Sequence, residues 1–251
     1  MNTAAVKELL YKIADDQLIL GHRNSEWTGL GPLLEEDIAF SSMAQDKIGH
    51  SLTFYELLHE MGEENPDKIA FLRKSRDFKN CQLVELPNTD YAFSLIRHFL
   101  YDTAELQRMK LLANSEIDMI RERAAKVKGE LVYHTMHANT WLKKLGNGTE
   151  ESIEKMQVAL DQLMPYALGM FEPSVYEEEL VKNKIFAGEK ILQDLWWNDV
   201  RKIINSTKLV LKDISDYPVV FGGRTGEHTN HLQVLLEEMS EVINIDPNAE
   251  W

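Results

Sequence analysis

The chain has 251 residues with 41 acidic and 27 basic side chains, a formal net charge of −14, and 44% hydrophobic content. That length and composition suit a soluble globular protein with a sizeable core, and the negative charge disfavours a nucleic-acid backbone or an anionic membrane as partner. No apolar run reaches the roughly 18 residues that span a bilayer. The N-terminal "MNTAAVKELLYKIADD" has acids where a signal peptide would be apolar. The single Cys81 excludes an intramolecular disulfide or a cysteine-based metal centre. A cytoplasmic location is the expectation.

Apolar residues recur at three- and four-residue steps without sustained alternation, so the chain reads as all-α. The first helix is expected from about Thr3 to Arg23, with Val6, Leu9, Leu10, Ile13 and Ala14 on one face. "GLGP" (29–32) breaks it, and Pro32 suits the first turn of the next helix. That second helix runs from about Leu33 to Met61, with Ile38, Ile48, Leu52, Tyr55 and Leu58 as its core face and Gly62 as its stop. Residues 63–88 form an irregular connection with a short helix near Ile69 to Arg73. Thr89 or Asp90 caps a third helix that runs to about Ala113. Ser115 caps a fourth that ends at "LGNG" (145–148), where "NGT" is read as a loop. Two helical hairpins joined by a long crossover give the ferritin-like four-helix bundle.

Further helices follow near Ser152 to Leu168, after Pro173, through "ILQDLWWNDVRKII" (191–204), and from about His228 to Ile243. "YPVVFGGRTG" (217–226) is the clearest loop. The expectation is one ferritin-like domain over 1–251, with a core bundle over about 3–146 and accessory helices over about 150–251 packed on it.

Polar residues fall at mid-height on the four long helices. The first offers Asp15, Asp16, His22 and Glu26, and the second offers Asp46, Lys47 and His50. The third offers Asp102 and Glu105, and the fourth offers Glu130, His134 and His137. A carboxylate-bridged di-metal site takes one acid from each of two helices and a Glu-x-x-His from each of the other two, because residues three apart share a helix face. Here the two motifs read Lys47-x-x-His50 and Leu131-x-x-His134. Both histidines are in place and both bridging glutamates are absent. An ammonium cannot ligate while charged and repels a cation.

The reading is therefore a degenerate di-metal site made of Asp46, Lys47, His50, Asp102, Glu130 and His134, in which Lys47 neutralises acids that a metal would have neutralised. The alternative is a di-metal carboxylate oxidase with an altered ligand set drawn from the same residues. His228 and His231 are three apart, but a loop-to-helix junction capped by Thr225 or Thr229 accounts for them. The glycine-rich "GGRTGEHTNH" (222–231) lacks the Lys-Ser/Thr of a phosphate loop. Trp196 and Trp197 point to different faces, one to the core and one to an interface.

Long blocks carry a resemblance along almost the whole chain: "SEWTGLGPLLEEDIAFSSMAQDKIGH", "ELPNTDYAFSLIRHFLYDTAEL", "YHTMHANTWLKKLGNGTEES", "FGGRTGEHTNHL" and the terminal Trp251. In these the chain resembles the PaaC family, the structural ferritin-like subunits of bacterial 1,2-phenylacetyl-CoA epoxidase. The resemblance implies a non-catalytic subunit that pairs with the catalytic subunit PaaA and assembles with the other epoxidase subunits. PaaA holds the di-iron centre and binds phenylacetyl-CoA, and the complex uses oxygen and NADPH to epoxidise the aromatic ring in phenylacetate breakdown. The catalytic paralogue carries Asp-Glu-x-Gly-His, whereas "DKIGH" keeps Asp46, Gly49 and His50 and has Lys47 for the glutamate. The resemblance therefore transfers no catalytic residue and no cofactor to this chain. The surface that meets PaaA, and whether the chain alone forms a homodimer, stay open.

Overall fold

Side-chain caps open four of the helices among the described residues. The computed structural model describes residues 3–246, so the terminal Trp251 lies outside the described residues. Ten α-helices occur among them: α1 (Thr3–Ser25), α2 (Leu34–Glu60), α3 (Pro66–Phe71), α4 (Gln82–Glu85), α5 (Tyr91–Leu112), α6 (Asp118–Gly146), α7 (Glu150–Leu168), α8 (Glu177–Lys182), α9 (Glu189–Ile204) and α10 (Asn230–Met239). The described residues form no strand, and no helix among them is long and apolar enough to cross a membrane. Asp90 opens α5 by accepting the Phe93 N–H at 2.8 Å. Thr149 does the same for α7 through Ser152, and Thr229 for α10 through His231. Beyond α2, Gly62 takes a positive φ of 88° that only glycine adopts without strain.

Several sequence expectations need correcting. Pro32 lies before α2, whose N-cap is Leu33, and is not in its first turn. The short crossover helix begins at Pro66, because Asn65 caps it and proline suits N1, so it sits earlier than expected. Ser115 is not the cap of α6; its hydroxyl accepts from Ile117, and the helix opens two residues later than a Ser115 cap requires. The last helix ends at Met239, where a turn replaces the continuation to Ile243.

Helices α1 with α2, and α5 with α6, pack as the two hairpins of an all-α ferritin-like bundle, with α3 and α4 in the crossover. Gly21 lets the first pair approach closely, since a Cβ there would meet the Ile48 side chain at 2.8 Å and the Lys47 Cβ at 3.3 Å. Helices α7 and α9 lie against α5, so α5 is enclosed nearly all round. Its buried polar residues, Arg97, His98, Asp102, Glu105 and Arg108, consequently need partners inside the protein.

The C-terminal segment is laced into the bundle by charge. Arg224 sends both terminal nitrogens to the Asp16 carboxylate at 2.8 Å and reaches the carbonyls of Lys79 and Met170. Lys12 pairs with Glu189 at 2.8 Å, and Arg108 joins the same carboxylate.

The core face expected for α2 is only partly right. Tyr55 and Leu58 are buried, but Ile38, Ile48 and Leu52 face outward. The inward arc is filled by Phe40, Met43, Ala44, Lys47, His50, Ser51 and Phe54. Period alone shows that a helix has a face; it does not say which arc packs inward when a buried lysine and histidine occupy part of it.

Candidate functional site

The middle of the bundle brings all six candidate residues together. Lys47 on α2 is fully buried, and its Nζ lies 2.5 Å from Asp102 Oδ1 on α5 and 4.9 Å from the Tyr101 ring centroid. His98, one turn before Asp102 on α5, sits against the other carboxylate oxygen. His134 on α6 places Nδ1 3.8 Å from Asp102 and donates through Nε2 to Asp46 on α2 at 3.0 Å. Four residues along each helix the pairing is reversed, with His50 of α2 against Glu130 of α6 at 2.6 Å. The pairs 46 with 134 and 50 with 130 run in opposite directions along the two chains, so α2 and α6 are antiparallel here.

Electrostatics follow from burial and from these partners. Burial alone would raise the Asp102 carboxyl, but Lys47 and then His98, with the imidazole contacts, hold it well below the usual carboxylate range. Burial pushes His98 down to about 4, against the pull of Asp102. Burial likewise lowers His50 to about 4, opposed by Glu130 and reinforced by Lys47. His134 differs: burial lowers it, yet the nearby Asp102 carboxylate and the hydrogen bond to Asp46 outweigh that and raise it. Asp46 is lowered chiefly by the His134 hydrogen bond. Cations at Lys47 and His134 thus balance anions at Asp102 and Asp46.

The sequence reading did not single out His98 or Glu36. His98 Nδ1 lies against Asp102, and its Nε2 lies 3.3 Å from His137 Nδ1. His137 Nε2 faces Glu36 at 2.9 Å, and Tyr91 donates its hydroxyl to Glu36. A polar chain therefore runs from Lys47 through Asp102, His98 and His137 to Glu36 and Tyr91. The His98/Asp102 spacing of four on one helix is the signal that would have found its first link.

Other mid-helix candidates fall outside this cluster. Asp15 binds Arg73, the Tyr55 hydroxyl and the Lys79 N–H, and Asp16 holds Arg224 and the Cys81 N–H. Glu105 turns to Arg108 at 3.2 Å, and burial pushes its carboxyl up to about 7. Burial lowers His22, and Glu26 pairs with Arg23 at 2.6 Å beyond the end of α1. His228 bonds Glu85 at 2.6 Å and the Phe78 carbonyl, so it anchors a loop apart from His231. Trp196 is buried and donates to the Leu100 carbonyl, while Trp197 is half-buried.

An all-α ferritin-like bundle whose centre holds an ion cluster of lysine, histidines and carboxylates is the class these features define. The match to the phenylacetic acid catabolic protein family spans residues 1–251, and the chain belongs to that family. It is 31% identical over 241 residues to the C component of the 1,2-phenylacetyl-CoA epoxidase of Escherichia coli K12, an alignment covering 96% of each chain.

Proposed function

We propose that this chain is a non-catalytic structural subunit of a 1,2-phenylacetyl-CoA epoxidase, pairing with the catalytic di-iron subunit PaaA in cytoplasmic phenylacetate catabolism. The observation that carries this reading is the Lys47 ammonium, fully buried and 2.5 Å from Asp102, at the helix-two position where a di-metal protein places a bridging glutamate. Adjacent hard cations need several carboxylate oxygens. Here Asp102 is taken by Lys47, Asp46 by His134, and Glu130 by His50. The opposite motif offers Leu131, buried in the apolar core. These residues do not fit a pair of metal ions, because a fixed positive charge stands where the first would go and repels it. The cluster serves the fold: it supplies charge balance inside a bundle that retains the shape of a redox subunit. The epoxidation chemistry belongs to the partner's iron, and this chain's residues take no step in it.

The test is metal content and partnership measured together. Protein expressed with abundant iron is expected to hold far less than two irons per chain, to show no turnover of phenylacetyl-CoA alone, and to co-elute with its cognate catalytic subunit. Two stoichiometric irons with a di-iron Mössbauer signature would refute the scaffold reading and favour the altered ligand set of Asp46, His50, Asp102, Glu130 and His134.

A further inference from the structure

Helices α5, α6 and α9 meet along a cleft of about 180 Å³, and none of the residues lining it belongs to the central ion cluster. Helical spacing assembles it. Thr135 and Asn139 are four apart on α6, and Asp199 and Lys202 are three apart on α9, so each helix turns two polar side chains to one side. Thr103 faces them from α5, and Leu106 and Ile203 supply apolar wall.

The oxygens of this cleft are short of donors. Thr103 is only 7% exposed, yet its hydroxyl bonds to no described residue. Thr135 gives its hydrogen to the Leu131 carbonyl at 2.9 Å, which leaves its oxygen free to accept. Asn139 Oδ1 is buried without a hydrogen-bond partner. Asp199 takes the Gln107 amide on Oδ2; its Oδ1 is free, and no cation among the described residues pairs with it. Buried polar atoms without partners are costly. Here they are gathered on three helices around one opening.

The balance of donors and acceptors selects the ligand. Oxygens of Thr103, Thr135, Asn139 and Asp199 accept, whereas only the Thr103 hydroxyl and the exposed Lys202 donate. An anion would meet Lys202 alone and be opposed by Asp199. A hard metal ion takes several carboxylate oxygens, and the cleft offers one carboxylate with an ammonium beside it. A primary ammonium group instead brings three N–H donors and a positive charge. The volume is below the roughly 300–1,000 Å³ of drug-sized sites, so the ligand is small. We infer that the α5/α6/α9 cleft binds a small primary ammonium compound, its nitrogen held by Thr103, Asn139 and Asp199 and its carbon chain laid on Leu106 and Ile203. Lys202 disfavours a second ammonium and favours a carboxylate at the ligand's far end.

The experiment titrates the full chain with n-butylammonium, read by saturation-transfer NMR and calorimetry at physiological ionic strength, where diffuse attraction to the acidic surface is screened. One saturable site per chain is expected. Tetramethylammonium has the charge without N–H groups and n-butanol has the chain without charge, so each should bind roughly tenfold more weakly or worse. Thr103→Val, Asn139→Leu and Asp199→Asn should each weaken butylammonium binding by about tenfold, the worth of a hydrogen bond to a charged group. Glu122→Gln, at an exposed position of α6, removes the same charge as Asp199→Asn and should leave binding unchanged. Thr103→Val should melt no lower than the parent, because the hydroxyl it removes has no partner in the protein, so lost binding there is not lost fold. 4-Aminobutanoate separates the sources of the ammonium group: it binds more tightly than butylammonium for an amino-acid ligand and more weakly for a simple amine. Equal binding of tetramethylammonium or butanol, cleft variants that bind like the parent, or no saturable binding at all would each overturn the inference.

Discussion

Replacing Lys47 with methionine keeps most of the side chain's volume and removes its charge, which isolates what the buried ammonium does. In the folded protein neither Lys47 nor Asp102 is exposed, and they meet at 2.5 Å. The variant leaves the Asp102 carboxylate buried with only His98 and His134 near it. Breaking one side of a buried pair costs about 3–5 kcal/mol, a large share of a typical stability of about 5–15 kcal/mol. For a chain of this size each kcal/mol moves the melting temperature by about 2–4 °C, so Lys47→Met should melt roughly 10 °C lower at pH 7.

Lys47→Glu adds an anion among acids and should melt lower still. The pH dependence has a fixed sign. Asp102 is depressed in the folded state, so its pairing stabilises above the unfolded carboxylate pKa, near 4, and that contribution is lost as pH falls through the lower folded value. The gap between parent and Lys47→Met should therefore be widest above about pH 5 and narrow below about pH 4. Lys47→Met with Asp102→Asn should recover much of the loss, because no unpaired charge remains. Thermal melts by circular dichroism from pH 3 to 8 measure all of this. If Lys47→Met and Lys47→Glu both melt with the parent at pH 7, the ion pair contributes nothing and the metal-substitute argument fails.

Other perturbations test neighbouring features. Arg224→Ala removes a guanidinium bonded to both Asp16 oxygens and two carbonyls, and should lower the urea midpoint by the equivalent of about 3–5 kcal/mol; Arg224→Lys should restore little, since the fork is lost. Gly223→Ala would place a Cβ 2.4 Å from the Asn80 carbonyl oxygen, and backbone displacement there should cost about 1–3 kcal/mol in the same assay. Glu105, raised to about 7 by burial, stabilises fully below the unfolded carboxylate pKa and loses that contribution as pH rises through 7. The parent should thus lose up to about 3 kcal/mol from this group between pH 5 and 8, and Glu105→Gln should flatten the slope. An unchanged slope would show that Glu105 stays ionised beside Arg108.

The long helices were legible in the sequence because their apolar period is sustained and their caps are explicit, as at Asp90 and Thr149. Helix α4 was not: four residues are too few for a period. The cluster at the bundle centre was legible as a list of polar residues on facing helices, and its four-residue histidine–acid spacings were visible. Sequence could not show that His50 and His134 would choose acids on the opposite helix, Glu130 and Asp46, over those on their own. That choice depends on the antiparallel register of α2 and α6, which follows from packing. Nor could it rank the faces of α2, where Ile38 and Leu52 look like core until the neighbouring helices are placed.

The ties made by Lys12 and Asp16 bear on how the chain acquires its fold. Both lie on α1, yet their partners, Glu189 and Arg224, are synthesised 177 and 208 residues later. Until then α1 cannot settle into the bundle without an uncompensated ammonium and carboxylate inside it, so early collapse of the four long helices is penalised. The closing step brings together segments at nearly the maximum sequence separation the chain allows, an arrangement that slows folding. A chain cut after α6 would contain every helix of the ferritin-like bundle and still lack the charges that let its first helix be buried. Shortening this protein from its C-terminal side should therefore unravel it from its N-terminal helix.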